Sequence, residues 1–404
     1  MKKSNIYLQR YAYPSIGLHQ QIKNNPDIIV VIPAYAEQNI ATALRSLHDC
    51  SKPIGEVSVI IVINEPDNAK ESISTLNKRT FEEAEGITKT FEQFTINLKL
   101  PPKKAGVGLA RKIGMDEAVR CFEENRKDGI IVCYDADCTC APNYLQVIED
   151  FFSNPEHKLG MVHYEHDLNG PNSEAIILYE LFLRYYINAL RIIQYPNALQ
   201  TLGSCITVKS KAYQKQGGMN TRKAGEDFYF IHKMVPLGGL GEINNTTIFP
   251  SDRTSERVPF GTGFAINNYL KSPDQAYPSY SPKIFEDLKV INLNLEEIYY
   301  TRQLPKYPES VARFYSEHHF SIAELISQSG SFENFLSRYY SWWDGFRVLK
   351  FVHFCRDEFY PNEPLSNSMV WLDQYLKTGL DSLSKIEQLR AMRTYDKMNP
   401  FYIK

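Results

Sequence analysis

Ile130-Ile131-Val132-Cys133-Tyr134-Asp135-Ala136-Asp137 is a short apolar run that ends in two carboxylates. Gly129 precedes it and Thr139 and Pro142 follow, so it reads as a buried strand bounded by turns. Side chains at i and i+2 of a strand share a face. If the extended geometry runs on through Ala136, Asp135 and Asp137 converge at the strand's carboxyl end, the edge where open α/β sheets bind ligands. Two anions at one point are costly without a cation between them, or between them and a ligand. Mg²⁺ or Mn²⁺ bridging to a diphosphate answers that need, because hard cations take carboxylate and phosphate oxygens. Taken alone, the pair is better explained as two Asp capping a turn and the next helix. The neighbouring segments change that balance.

Upstream, Ile28-Ile29-Val30-Val31-Ile32-Pro33 is the kind of continuous apolar run that forms a strand buried on both faces of a parallel sheet. Pro33 is expected to end it. The turn after it holds Tyr35 and Glu37, and Ile40, Ala43, Leu44 and Leu47 follow at helical spacing. A second strand over 57–63 ends in the polar loop Asn64-Glu65-Pro66-Asp67-Asn68. Residues 69–93 look helical, and 96–100 read as a short strand. Gly106 and Gly108 open a further helix, with Lys103, Lys104, Arg111 and Lys112 near its start, a setting suited to anions. It matches neither the lysine-terminated phosphate loop nor the dinucleotide fingerprint. Repeated strand–loop–helix units with short connections predict a doubly wound α/β domain: a mixed, mainly parallel sheet with helices on both faces.

Downstream, the pattern gives a helix over 142–152, a strand over 160–166 and a long helix over 174–193. Glu180, Arg184 and Arg191 interrupt that helix's apolar face. It reads as a buried core or domain-contact helix in preference to an interfacial membrane helix. A strand over 201–208, a helix over 211–216, a helix opening at Gly225-Glu226-Asp227 and a strand over 243–249 complete the domain. Acidic residues suit a helix start, so capping alone accounts for Glu226 and Asp227. Past about residue 266 Pro, Ser and Tyr fill 271–282, and helical patterns follow at 308–328, 331–341, 343–357 and 366–395. The expected organisation is an arm (1–26), a catalytic domain (27–265), and a linker with a helical C-terminal region (266–404).

Composition narrows the function classes. A chain of 404 residues can bury a sizeable core, and 43% hydrophobic with 23% charged residues is ordinary for a soluble globular protein. A net charge of −2 gives no basic field, so nucleic acid is not an expected partner. Seven Cys show no repeated spacing, and the Cys138-x-Cys140 pair lacks the further ligands of a zinc site. Reduced thiols in a cytoplasmic protein are expected. The basic start Met1-Lys2-Lys3 leads into no apolar stretch, so no secretory signal is expected. No apolar run approaches a membrane span. His163, His166 and His232 are expected to be packed or surface imidazoles.

In order along the chain, six segments resemble the motifs of inverting family 2 glycosyltransferases of the GT-A fold. They are Ile32-Pro33-Ala34-Tyr35-x-Glu37, Gly108-Leu109-Ala110-Arg111-Lys112-x-Gly114, Asp135-Ala136-Asp137, Gly203-Ser204, Gly217-Gly218-Met219 and Glu226-Asp227. The resemblance spans about residues 27–265. It departs from the family at Asn64-Glu65, where paired Asp usually hold the uracil or ribose, and at Lys112, where Asn is usual.

The resemblance implies direct displacement at the anomeric carbon of a UDP- or GDP-sugar by an acceptor hydroxyl. Asp135 and Asp137 then anchor Mg²⁺ or Mn²⁺. Pro33, Tyr35, Glu37, Glu65, Arg111 and Asp135 cradle the donor nucleotide. Asp227 is the general base with Glu226 beside it, and adjacent carboxylates raise one another's pKa. Gly203 and Ser204 belong to the acceptor loop. Many relatives place a metal-binding His near Ile248-Phe249-Pro250-Ser251-Asp252; none stands here, so Asp252, or diphosphate and water, takes the place. Arg253 and Arg257 either clamp the diphosphate bidentately or pair with Asp252 and Glu256 on a solvated loop. The acceptor is left open among glycan, lipid-linked and small-molecule hydroxyls, with peripheral membrane contact compatible.

Three other readings share some of these features. A retaining glycosyltransferase would use the same nucleotide site without Asp227 as base. A nucleotidyltransferase is disfavoured, because the first strand ends in Pro-Ala-Tyr and not in a glycine-rich basic loop. A non-catalytic nucleotide-sugar-binding protein would be expected to lose one of the carboxylate pairs, and both are present.

Overall fold

The computed structural model describes residues 5–253, 261–272 and 276–404, so Arg257 lies outside the described residues. Its centre is a run of four parallel strands, β1 (Ile28–Ala34), β2 (Val57–Pro66), β3 (Glu92–Leu100) and β4 (Ile130–Cys133), in the spatial order β3-β2-β1-β4. The short β5 (Thr139–Cys140) follows in the chain. β6 (Leu159–Tyr164) and β7 (Ile206–Lys209) extend the sheet, β7 running antiparallel to both β4 and β6. β8 (Leu240–Phe249) is parallel to β6 and antiparallel to β5. β9 (Pro278–Ser279) and β10 (Glu363–Pro364) pair apart from the main sheet, and β11 (Tyr402–Ile403) closes its far edge against β8. The sheet is therefore mixed and mainly parallel, with helices on both faces and a helical C-terminal region, as the sequence pattern predicts.

The helices before residue 272 are α1 (Ile6–Arg10), α2 (Ile40–His48), α3 (Glu71–Gly86), α4 (Val107–Glu124), α5 (Tyr144–Phe151), α6 (Ser173–Ile192), α7 (Ser210–Lys215), α8 (Glu226–Met234) and α9 (Thr262–Lys271). Every residue of β1 and β4 is buried, which requires cover on both faces because alternate side chains point opposite ways. α4 lies close over the centre. A Cβ on Gly114 would sit 2.4 Å from Val31 Cγ1, so only glycine allows that approach.

Four expectations are corrected. β1 runs through Pro33 to Ala34, because β4 pairs only as far as Val31 and leaves Pro33 with an open side, where its missing N–H breaks no ladder. β4 stops at Cys133: the Asp135 carbonyl accepts from the Cys138 amide at 3.0 Å, so the two Asp lie on a turn and not on an extended strand. Residues 69–93 are not one helix; α3 ends at Gly86, and β3 already begins at Glu92 as a half-exposed edge strand with alternating polar residues. The segment 266–271, read as the start of a linker, belongs to α9.

The arm before β1 is held by two buried acids of α4. Asp116 accepts from the Tyr7 hydroxyl at 2.5 Å and the Tyr13 amide at 2.6 Å, and Glu117 from the Ile16 and His19 amides. Lys112 points to the same side, 3.1 Å from Asp116, away from the sheet's carboxyl edge. The C-terminal helices share a second hydrophobic core with α6. Its Glu180 and Arg184 meet Arg393 and Asp396 of the last helix, Lys385–Met398, in a buried ionic network. α6 is thus a buried helix packed on the C-terminal helices, with its charges matched internally. Among the described residues, no helix is long and apolar enough to cross a membrane.

Candidate active site

β4 leaves the sheet just as β1 and β2 continue, and the gap opens at their carboxyl ends. A cavity of about 440 Å³ fills it, lined by Pro33, Tyr35 and Glu37 after β1, Asn64 and Pro66 on β2, Gly106 and Val107 at the start of α4, and Asp135, Asp137, Lys223 and Arg253. A second cavity of about 290 Å³ adjoins it, lined by Arg111, Gly203, Ser204, Glu226 and Asp227. The two share Val107, Asp135, Asp137 and Arg253, so the carboxylate turn stands where they meet.

Two arginines neutralise that turn. Arg111, only 2% exposed, donates to Asp135 Oδ1 at 2.6 Å and to Glu226. A guanidinium so deeply buried is tolerable only because it is paired with two carboxylates. Gly203 makes room for it: a Cβ there would lie 2.8 Å from Arg111 Nη2. Arg253 spans the cavity mouth, 2.7 Å from Glu37 Oε2 and 2.8 Å from Asp137 Oδ2. At Gly108 a Cβ would lie 2.2 Å from the Arg222 carbonyl, so glycine lets the 220–225 segment close onto α4 before α8 begins.

Five carboxylates face these two guanidiniums, and the excess of negative charge shows in the proton affinities. Burial pushes the Asp227 carboxyl up to about 7, with the Glu226 charge adding to it and Arg111 opposing. Asp137 rises to about 6 through burial and the charges of Asp135 and Glu37, against the pull of Arg253. A carboxylate near 7 in a cleft is suited to taking a proton from a hydroxyl.

Pro33, Tyr35, Glu37, Asp135 and Asp137 come together at the first cavity, and Arg111, Gly203, Ser204, Glu226 and Asp227 at the second, with Arg253 between them. Glu65 lines neither. Its carboxylate is buried against α3, taking bonds from Ser74 at 3.1 Å and Asn77 at 3.0 Å. Asn64 faces the first cavity instead, with a buried Oδ1 that has no partner among the described residues. Strand alternation puts neighbours on opposite faces, so the choice between them was available from the sequence. Lys223 reaches the first cavity through the tertiary fold alone, and no sequence pattern marks it. Asp252 packs beside Gly170, outside both cavities. His163 and His166 pair with Glu165 and Glu180, and His232 meets Phe228 edge to face.

Among the described residues, no three His, Cys, Asp or Glu side chains gather as a metal cage. Asp135 and Asp137, which line both cavities, are the residues that would hold a metal ion. Two hard carboxylates at a cavity edge fit Mg²⁺ or Mn²⁺ when phosphate and water oxygens complete the coordination.

No family model and no curated protein matches this chain. Among solved structures, S. aureus TarS 1–349 in complex with UDP is similar at 14% identity and a TM-score of 0.39, over 92% of this chain and 90% of that one. The complex of the same protein with UDP-GlcNAc gives 12% identity, a TM-score of 0.39 and the same coverage. A longer S. aureus TarS structure is matched over 35% of its length, at 15% identity and a TM-score of 0.33.

Proposed function

We propose that this protein is a glycosyltransferase that moves a sugar from a nucleoside diphosphate sugar to an acceptor hydroxyl with inversion. One observation carries the reading. A nucleotide-sized cavity and a second cavity holding a high-pKa carboxylate meet at a pair of Asp residues. The first cavity takes the donor. Its walls at Pro33, Tyr35 and Pro66 offer flat apolar surface for a base, and the Asn64 Oδ1 is an acceptor in search of an N–H or O–H. Lys223 and Arg253 supply positive charge for a diphosphate lying toward Asp135 and Asp137. A divalent cation held by the two Asp would supply neutralisation of the departing diphosphate.

The second cavity takes the acceptor. Asp227 receives the proton of the attacking hydroxyl, on the other side of the carboxylate turn from the donor. Glu226 keeps Asp227 basic enough to do so, and Arg111 positions Glu226 against Asp135. Placing the base and the leaving group on opposite sides of the turn supports inversion. The test is turnover: a panel of UDP- and GDP-sugars is incubated with the full chain and Mn²⁺, and nucleoside diphosphate release is followed. Release from one donor, abolished in Asp227→Asn with nucleotide binding retained, supports the reading. No release from any donor, with or without added sugar acceptors, contradicts it.

A further inference from the structure

A third cavity, of about 540 Å³, continues from the acceptor cavity along α6 and α9. The two share Gly261 and Phe264 at the entry to α9. Tyr179 on its wall is close enough to the catalytic carboxylate to feel it: burial raises the phenol to about 12, and the Asp227 charge adds to the rise. The cavity's character differs from that of the donor site. Phe182, Phe264, Tyr269, Tyr277 and Tyr280 join Tyr179 along it, and among the described residues none that lines it is charged. The rings adjoin one another, Phe182 at 5.4 Å from Tyr280 and 6.2 Å from Tyr277, and Tyr269 at 6.2 Å from Tyr277.

Neutral polar groups interrupt the aromatic wall: Asn268, Asn362 and Ser279 also line it. Ser279 is 1% exposed, and its Oγ has no hydrogen-bond partner among the described residues. A buried hydroxyl without a partner costs stability unless a ligand supplies one. An alkyl chain laid here would leave these hydroxyl and amide groups unpaired. A phosphate-bearing polymer would find no cation among the described lining residues. A pyranose offers an apolar C–H face to a ring and a rim of hydroxyls to neutral donors and acceptors, which is what the wall provides.

We propose that this cavity is an extended acceptor subsite for a neutral oligosaccharide, holding sugar units beyond the one whose hydroxyl meets Asp227. The inference rests on the transferase reading for the direction of the chain, and it names the acceptor class of that site. The enzyme then elongates or decorates an existing glycan, and an earlier glycosyl transfer must supply its substrate.

The test uses the full chain on an array of neutral oligosaccharides in the presence of UDP and Mn²⁺, with the affinity of any bound glycan then measured by calorimetry. Two variants accompany wild type: Tyr277→Ala removes a ring, and Asn268→Trp fills the cavity from an exposed position on α9. Stabilisation of each protein by UDP is the control for the donor site. The expected result is binding of at least one glycan of two or more units. Both variants should bind it on the order of tenfold more weakly, about 1.4 kcal/mol, with the UDP shift unchanged. Wild type that UDP stabilises but that binds no neutral oligosaccharide overturns the inference and leaves the donor reading standing. So does a glycan that both variants bind as wild type does, or exclusive binding of a prenyl phosphate. Glycan binding lost in the variants, with no UDP shift in any protein, keeps the subsite and removes the transferase reading.

Discussion

Replacing Glu226 by Gln tests how the base is tuned. The folded-state pKa of Asp227 is raised from 3.8 to about 7, with burial the first cause and the Glu226 charge the second. At 1.36 kcal/mol per unit the whole rise corresponds to about 4 kcal/mol. One like charge in a partly wet cleft accounts for about 1–2 kcal/mol of it. Gln keeps an oxygen for the Arg111 guanidinium and loses the charge, which also frees Arg111 to favour the ionised form of Asp227. Both effects lower the pKa. The ionised carboxylate is the active form, so kcat/KM rises as pH passes upward through the pKa. The assay is nucleoside diphosphate release as a function of pH under first-order conditions. Wild type should show an acid limb with a midpoint near pH 7, and Glu226→Gln a midpoint about one unit lower. A limb that stays in place, or moves upward, refutes the assignment of Asp227 as the base held up by its neighbour.

Three further outcomes follow from the geometry. Arg253→Ala frees Asp137 and Glu37 from their guanidinium, so Mn²⁺ without nucleotide should bind more tightly by electron paramagnetic resonance while UDP binds more weakly; parallel losses of both would count against Arg253 as a competitor for the metal carboxylates. Gly203→Ala places a methyl against Arg111 and should lower both thermal stability, by about 1–3 kcal/mol, and turnover, whereas Ala at Gly330, where a Cβ meets nothing within 4 Å, serves as the neutral control. Arg393→Ala strips Glu180 of a bidentate partner in the buried network that joins α6 to the last helix, and urea unfolding should show a loss of about 3 kcal/mol that Lys does not restore.

Much of the first cavity was legible because it is written locally. A buried parallel strand must be continuously apolar, and its polar sequel must fall at the carboxyl edge, so Pro33 to Glu37 and Asp135 to Asp137 announce themselves. Asp135 and Asp137 reach one place by a turn and not by strand alternation, so the expectation was right about the spot and wrong about the geometry. Glu65 has the expected chemistry but stands on the α3 face of β2, and Asn64, one residue earlier, is the one on the cavity side. Lys223 and the pairing of Arg253 with Glu37 depend on contacts across 121 and 216 residues, which no local pattern encodes. The same holds for α9. Gly263, Asn267 and Asn268 are poor helix formers, and packing of Ile266 against Ala175, Ile176 and Tyr179 on α6 overrides them. The helical pattern over 366–395 is two helices, Leu365–Leu376 and Lys385–Met398. Lys377 and Gly379 in left-handed conformations break it, and Ser384 caps the second half.

On the proposed mechanism, Asp135 and Asp137 join a divalent cation to a nucleoside diphosphate. Calorimetric titration of UDP and GDP into the full chain, with and without Mn²⁺, beside Asp137→Ala, tests it most directly. One nucleotide should bind wild type in the presence of Mn²⁺, and omitting the metal or removing Asp137 should weaken it at least about tenfold, a change of about 1.4 kcal/mol. Equal binding by wild type and Asp137→Ala, or no binding of either nucleotide under any condition, would contradict it.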